Sequence, residues 1–142
     1  MLNIFKKLFG GKREDPTVAL QTGSGKIIAA KVTKIEKHPN ADRLRLISLW
    51  DGRATIEPVV CGAFNFEEGD IVALALPGAL IAHNIHSDAH EPFTLDKATI
   101  RGVESQGMIC AEFELGANNT PGDKPEIMVL PAATAPGTIL PY

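Results

Sequence analysis

Between Lys26 and Lys37 the apolar residues alternate at Ile28, Ala30 and Val32, then slip by one position so that Ile35 is the next large one. Side chains along a strand alternate between its two faces, so this slip would turn the second half of the strand outward unless one extra residue bulges out. A bulge near Thr33 keeps both halves on the core side and also bends the strand. A small curved barrel requires that bend, and a flat sheet does not.

The rest of the chain fits the same architecture. HPNAD at His38 to Asp42 sets Pro, Asn and Asp in turn-forming order, and Leu44, Leu46, Ser48 and Trp50 then alternate with Arg43 and Arg45 as a second strand pairing back on the first. Asp51-Gly52 closes that strand, and Thr55 to Cys61 makes a third in which Pro58 marks an edge or a bulge. Ile71 to Leu76 is apolar throughout, as expected of a strand covered on both faces. Leu95 to Val103 reads as a fifth strand, Gly107 to Leu115 as a short helix, and Ile127 to Leu130 as a last extended piece. The expected fold class is all-β, β-rich with one short helix: a five-stranded OB-type barrel with a C-terminal extension. The 142 residues, with 13 Gly and 10 Pro, suit one such domain with its own core.

Three segments are expected. Residues 1–13 put Leu2, Phe5 and Phe9 on one helical face, away from Lys6 and Lys7, before Gly10 and Gly11 end the pattern. This amphipathic start either finds a partner, which can be the domain itself, another subunit or a membrane interface, or is a disordered tail. Residues 14–25 read as a linker, and the folded domain occupies 26–142. No apolar run approaches the ~20 residues that span a bilayer. Lysines interrupt the apolar start, so it is no secretory signal. Cys61 and Cys110 lie in apolar patterns with no CxxC, which predicts buried free thiols and a cytoplasmic protein.

A net charge of −3 hides an asymmetry. Residues 1–13 carry four basic side chains and no acid, and residues 26–53 carry seven basic against three acidic, whereas from 54 onward three basic residues face twelve acids. One sector attracts phosphate while the rest repels it, so any anion binding will depend steeply on salt. OB barrels bind oligonucleotides on the face of strands 2 and 3, framed by the loops between strands 1 and 2 and strands 4 and 5. Here that frame holds Lys37, Asn40 and Arg43, with Arg45 on strand 2. The segment KATIRGVESQGMICAEFELG at Lys97 to Gly116 adds a basic strand, a break at Gly102 and a polar turn with Ser105 and Gln106. The stretch AHNIHSDAHEPF holds His83, His86 and His90 with Asp88 and Glu91, residue types that suit a divalent ion, but the spacing fits no metal motif, and a polar loop without metal is expected. GxSxG, P-loop and GxGxxG patterns are absent, which points to a protein without catalysis or cofactor.

HPNADRL at His38 to Leu44, VVCGAFN at Val59 to Asn65, the Lys97–Gly116 segment, IMVLP at Ile127 to Pro131 and APGT at Ala135 to Thr138 together carry a resemblance. In order and spacing they are similar to the tRNA-binding OB-fold domain found near the N-terminus of the bacterial phenylalanyl-tRNA synthetase β-subunit, and in free-standing tRNA-binding proteins and synthetase-associated cytokine precursors. The resemblance runs from about Lys26 to the C-terminus. It implies tRNA contact through Lys31, Lys37, Asn40, Arg43, Arg101, Ser105, Gln106 and Met108. Two departures stand in the family's helix: Ala111 where Ser is common, and Phe113 where a cation is common. The expected function is a tRNA-binding accessory domain that holds tRNA by backbone and shape, presents it to a synthetase or another protein, and can work as a homodimer. Two alternatives remain at this point: a protein-interaction module that has kept the barrel, and a docked piece of a split synthetase.

Overall fold

The computed structural model describes residues 25–117 and 126–142. The amphipathic segment 1–13, and with it the expected subunit or membrane contact, lies outside the described residues, as does the linker up to residue 24. The described chain is all-β. Its strands are β1 (Ile27–Lys37), β2 (Arg45–Trp50), β3 (Thr55–Cys61), β4 (Ile71–Ala75), β5 (Leu80–Ile81), β6 (Phe93–Thr94), β7 (Ala98–Ile100), β8 (Val103–Ser105), β9 (Met108–Ile109) and β10 (Val129–Leu130).

The main sheet runs β10-β4-β1-β2-β3, with β9 also on β4, and every pairing in it is antiparallel. The register of β1 against β2 shifts between Val32 and Lys34, where the parity slip demands a bulge. Thr33 sits in that bulge and its Oγ1 donates to the Ser48 carbonyl at 3.1 Å. The far edge of β4 is completed in two pieces: β10 covers Ile71 and Val72, and β9 covers Leu74 and Ala75. Gly107 makes the second approach feasible, because a Cβ there would stand 2.7 Å from the Ala75 carbonyl oxygen.

The sheet curls without closing into a continuous ladder. Pro58 gives β3 no N–H at its midpoint, and the gap to the segment before β9 is bridged by two bonds: the Gln106 N–H donates to the Pro58 carbonyl at 2.9 Å, and the Val60 N–H donates to Ser105 Oγ at 2.9 Å. Inside the curl lie Ile28, Ala30, Val32, Ile47, Leu49, Val59, Phe66, Val72, Leu74 and Ile109. A second core packs outside β4, where Ile27, Ala73 and Ala75 meet Ala79, Ile81, Leu95, Cys110, Leu115 and Met128. Every residue of β4 is therefore buried, as its unbroken apolar run implies.

Two sequence expectations are corrected. The fifth strand does not run from Leu95 to Val103: it folds back at Arg101-Gly102, and β7 and β8 form a hairpin in which Ile100 pairs with Val103. Both central residues have positive φ, 52° and 89°, as tight two-residue hairpins require. The expected helix from Gly107 to Leu115 is absent, and no helix occurs among the described residues. Met108 and Ile109 pair with β4 instead, which leaves too few residues to repay helix nucleation. What remains is a single turn, with Leu115 N–H donating to the Ala111 carbonyl at 3.3 Å and Gly116 ending it at φ 77°.

Candidate nucleic-acid interface

Two polar segments far apart in sequence are locked together at one end of the curl. His38, at the exit of β1, is buried at 2% exposure, and both ring nitrogens are engaged. Nδ1 accepts the Asn40 N–H at 2.9 Å, so the ring proton sits on Nε2, which donates to the Ile100 carbonyl at 3.1 Å. Asn40 extends the tie: its Nδ2 donates to the Arg101 carbonyl at 3.0 Å, and an Arg101 guanidinium nitrogen donates back to the Asn40 carbonyl at 3.4 Å. The loop 38–44 and the tip of the β7–β8 hairpin thus form one ridge.

Lys37, Asn40, Arg43 and Arg101 are exposed along this ridge. Among the described residues, none of the three cations has a carboxylate within ion-pairing distance, unlike Lys34, which pairs with Glu36 at 2.9 Å. Unpaired cations on a rigid polar backbone are what phosphate binding uses. His38 was not among the expected site residues, although HPNAD contains it. A turn motif names the residues that bend the chain, but the partner of a buried ring, here 62 positions away, is set by tertiary structure.

The other expected residues fall elsewhere. Lys31 is exposed but lies in the middle of β1, paired with Trp50 on one side and Ile71 on the other, roughly 20 Å along the strand from Lys37. Ser105 is buried, with its hydroxyl accepting from Val60 N–H and donating to the Gly107 carbonyl at 2.9 Å, so its proton is committed inside the fold. Gln106 is half-buried: its backbone serves β3, and its side chain turns to Glu104 at 3.4 Å. Met108 is half-buried against the second core. Arg45 is half-buried and used internally: its guanidinium donates to the Ala63 carbonyl at 3.1 Å and lies over the rings of Phe64 and Phe66, 4.4 and 5.0 Å from their centroids.

The histidine loop is built differently. His83 stacks on Phe113 with centroids 4.8 Å apart, and His90 meets the same ring edge-on at 5.0 Å. His86 is exposed. Among the described residues, no group of three or more His, Cys, Asp or Glu side chains gathers as a metal site would require. Phe113 itself is buried, so its ring packs protein rather than a base. Beside it, Glu114 Oε1 accepts the Ala111 N–H at 2.8 Å, half of a capping box whose other half would need a hydroxyl at position 111. Burial pushes this carboxyl up to about 7. Cys61 and Cys110 are buried free thiols, both raised by that burial.

A family model described as "Putative tRNA binding domain" matches residues 27–139, which takes in every described strand and the whole ridge. The chain belongs to this family. Among curated members it is similar to the phenylalanine-tRNA ligase beta subunit of Chlamydia pneumoniae, 44% identical over 111 residues that make up 78% of this chain and 13% of that protein. It is likewise 41% identical over 134 residues to the beta subunit of Bacteroides thetaiotaomicron, covering 92% of this chain and 15% of the relative. This tRNA-binding domain therefore spans about one seventh of the length of these relatives. In fold it is similar to the solved structure of a MetRS related protein from Pyrococcus horikoshii, with a TM-score of 0.57 over 92% of this chain and 99% of that one at 16% identity.

Proposed function

We propose that this chain binds tRNA on the ridge made by loop 38–44 and the β7–β8 hairpin, and that it holds the tRNA without performing chemistry on it. The observation that carries this reading is the reciprocal Asn40–Arg101 tie over a buried His38, which leaves Lys37, Arg43 and Arg101 together at one edge of the fold with no ion-pair partner among the described residues. Family membership supports the ligand, and the ridge supports the manner of binding: cations for the phosphate backbone, with Asn40 and backbone groups fixing register. Lys31 and Gln106 are peripheral in this proposal, and Ser105, Met108 and Arg45 act as structural supports. The relatives' printed names favour a partnership with an aminoacyl-tRNA synthetase, into which this domain delivers tRNA. Two copies of the domain would double the few cations on each ridge. The two buried thiols suit a reducing cytoplasm.

The test is fluorescence anisotropy of labelled bulk tRNA at about 50 and 200 mM salt, for the wild-type chain and for the Arg43→Glu/Arg101→Glu variant. Binding that weakens steeply with salt and is lost in the variant is the expected result. Equal binding by the variant would remove the ridge from the interface.

A further inference from the structure

The connection 62–70 joins β3 to β4, and its first part, loop 62–66, exposes one large apolar side chain. Phe64 is 58% exposed in a chain whose other core-sized aromatic in this loop, Phe66, is 2% exposed. An exposed phenylalanine on a mobile loop would mean little, but this loop is held from both sides. Asn65 Nδ2 donates to the Ile127 carbonyl at 3.1 Å while the Ile127 N–H donates to Asn65 Oδ1 at 3.0 Å, a two-bond clamp to the C-terminal segment. On the other side, Arg45 donates to the Ala63 and Phe66 carbonyls at 3.1 and 3.5 Å and lays its guanidinium 4.4 Å beneath the Phe64 ring. One face of the ring is thus seated on a cation, and the other is the face that meets solvent.

The position of the loop gives that open face a use. A Cβ built at Gly62 would stand 3.3 Å from Leu44 Cδ2 and 3.7 Å from the Arg43 carbonyl oxygen, so the loop lies against the arginine end of the proposed ridge. In sequence the loop runs on into Glu67, Glu68 and Asp70, where Glu68 accepts the Ile35 N–H and Asp70 the Glu67 N–H, each at 2.9 Å. Acids repel phosphate, so an RNA chain gripped at Arg43 presents a base here rather than its backbone. An aromatic face that is rigid before binding loses little entropy on stacking, and stacking tolerates any base because every base has a π-face.

We propose that Phe64, seated on Arg45, is a stacking platform for one unpaired nucleobase of the tRNA, beside the phosphate-binding cations of the ridge. This inference rests on the tRNA-binding reading. Arg45 acts as a positioning residue: it fixes the ring and does not touch the ligand.

The experiment measures tRNA affinity by anisotropy across a salt series for wild type, Phe64→Ala, Phe64→Leu and Phe64→Trp, with thermal melts showing that each variant folds. Loss of one stacked base weakens binding about tenfold or more in Phe64→Ala while leaving the slope of log K against log salt unchanged, since the ridge still neutralises the same phosphates. Phe64→Leu, which keeps an apolar cover on Arg45 but offers no π-face, falls with Ala, and Phe64→Trp holds or gains affinity. If wild type itself fails to bind tRNA, the tRNA-binding reading falls and this proposal with it. If wild type binds and Phe64→Ala binds equally, the platform alone is overturned. Leucine binding as well as phenylalanine would overturn stacking, and a slope reduced in Phe64→Ala would overturn it too, by showing that the ring serves phosphate binding instead.

Discussion

Two histidine-bearing loops leave the same curled sheet, and they do opposite things with their imidazoles. In loop 38–44 a single buried His38 spends both nitrogens on backbone groups of two segments, and the cations around it are left facing out. In loop 82–92 the rings of His83 and His90 are spent on Phe113, one stacked and one edge-on, and the backbone holds itself with local bonds such as the Asn84 N–H to the Glu91 carbonyl at 3.0 Å. The first loop is tied to a distant hairpin and carries positive charge with no ion-pair partner among the described residues. The second is tied mainly to the turn beneath it. Histidine count alone would rank the second loop as the candidate site, whereas the partners of the two loops favour the first.

The comparison breaks most visibly in tRNA affinity. Reversing the charge at Arg43 and Arg101 together is expected to cost roughly hundredfold or more at low salt and to lower the salt slope by about 2, one unit for each phosphate no longer neutralised. The combined His83→Ala/His86→Ala variant is expected to stay within about twofold of wild type at neutral pH, because it removes no unpaired cation from the ridge. Equal losses from the two variants would erase the distinction drawn between the loops.

Much of the fold is legible in the sequence, because strand period and turn chemistry are local properties. The parity slip at Val32–Ile35 locates the bulge that the register shows, and the unbroken apolar run at Ile71 marks the strand buried on both faces. Legibility fails where a residue's partner is distant or the segment is short. Ser105 reads as a polar turn residue and is instead the acceptor that joins β8 to β3, 45 positions away. Arg45 reads as a cation on an open strand face, yet its charge sits on two phenylalanines of the next loop. The turn 111–116 has helical spacing, but the two residues Met108 and Ile109 shortly before it are claimed by β4. For the site, the motif HPNAD and the arginines were visible, whereas the His38 tie that brings them together was not.

A second way to sharpen the comparison is to remove one histidine from each loop and measure stability. His38→Ala would leave the Ile100 carbonyl and the Asn40 N–H without partners in a half-buried setting, an expected loss of about 1–2 kcal/mol in urea unfolding. Amide hydrogen exchange at Asn40 and along the β7–β8 hairpin should accelerate with it, since the ridge loses its central tie. His86→Ala, at an exposed position, should fall within about 0.5 kcal/mol of wild type. A His38→Ala protein that matched wild type in both measurements would show that Asn40 and Arg101 hold the ridge unaided.

The smallest expected effect concerns pH, and it belongs to the turn under the histidine loop. Burial holds the Glu114 carboxyl at about 7, above the ordinary 4.5, with the Ala111 N–H as its one opposing influence. Between those two values the folded chain binds more protons at this group than the unfolded chain does. Stability contributed here is therefore full below about 4.5 and is lost as pH rises through about 7, the reverse of a salt-bridged carboxylate. Glu114→Gln keeps an oxygen for the Ala111 N–H and cannot ionise. Its melting temperature should be flatter than wild type's across this window, and at pH about 8 it should be the more stable by about 1–2 kcal/mol. The turn also presents the Glu114 carbonyl to the His83 N–H at 3.2 Å, so loosening at high pH should reach the histidine loop before the ridge. A protection factor at the His83 amide that falls with rising pH in wild type and not in Glu114→Gln would establish that order, whereas a protection profile identical in both proteins would move the titration to some other group.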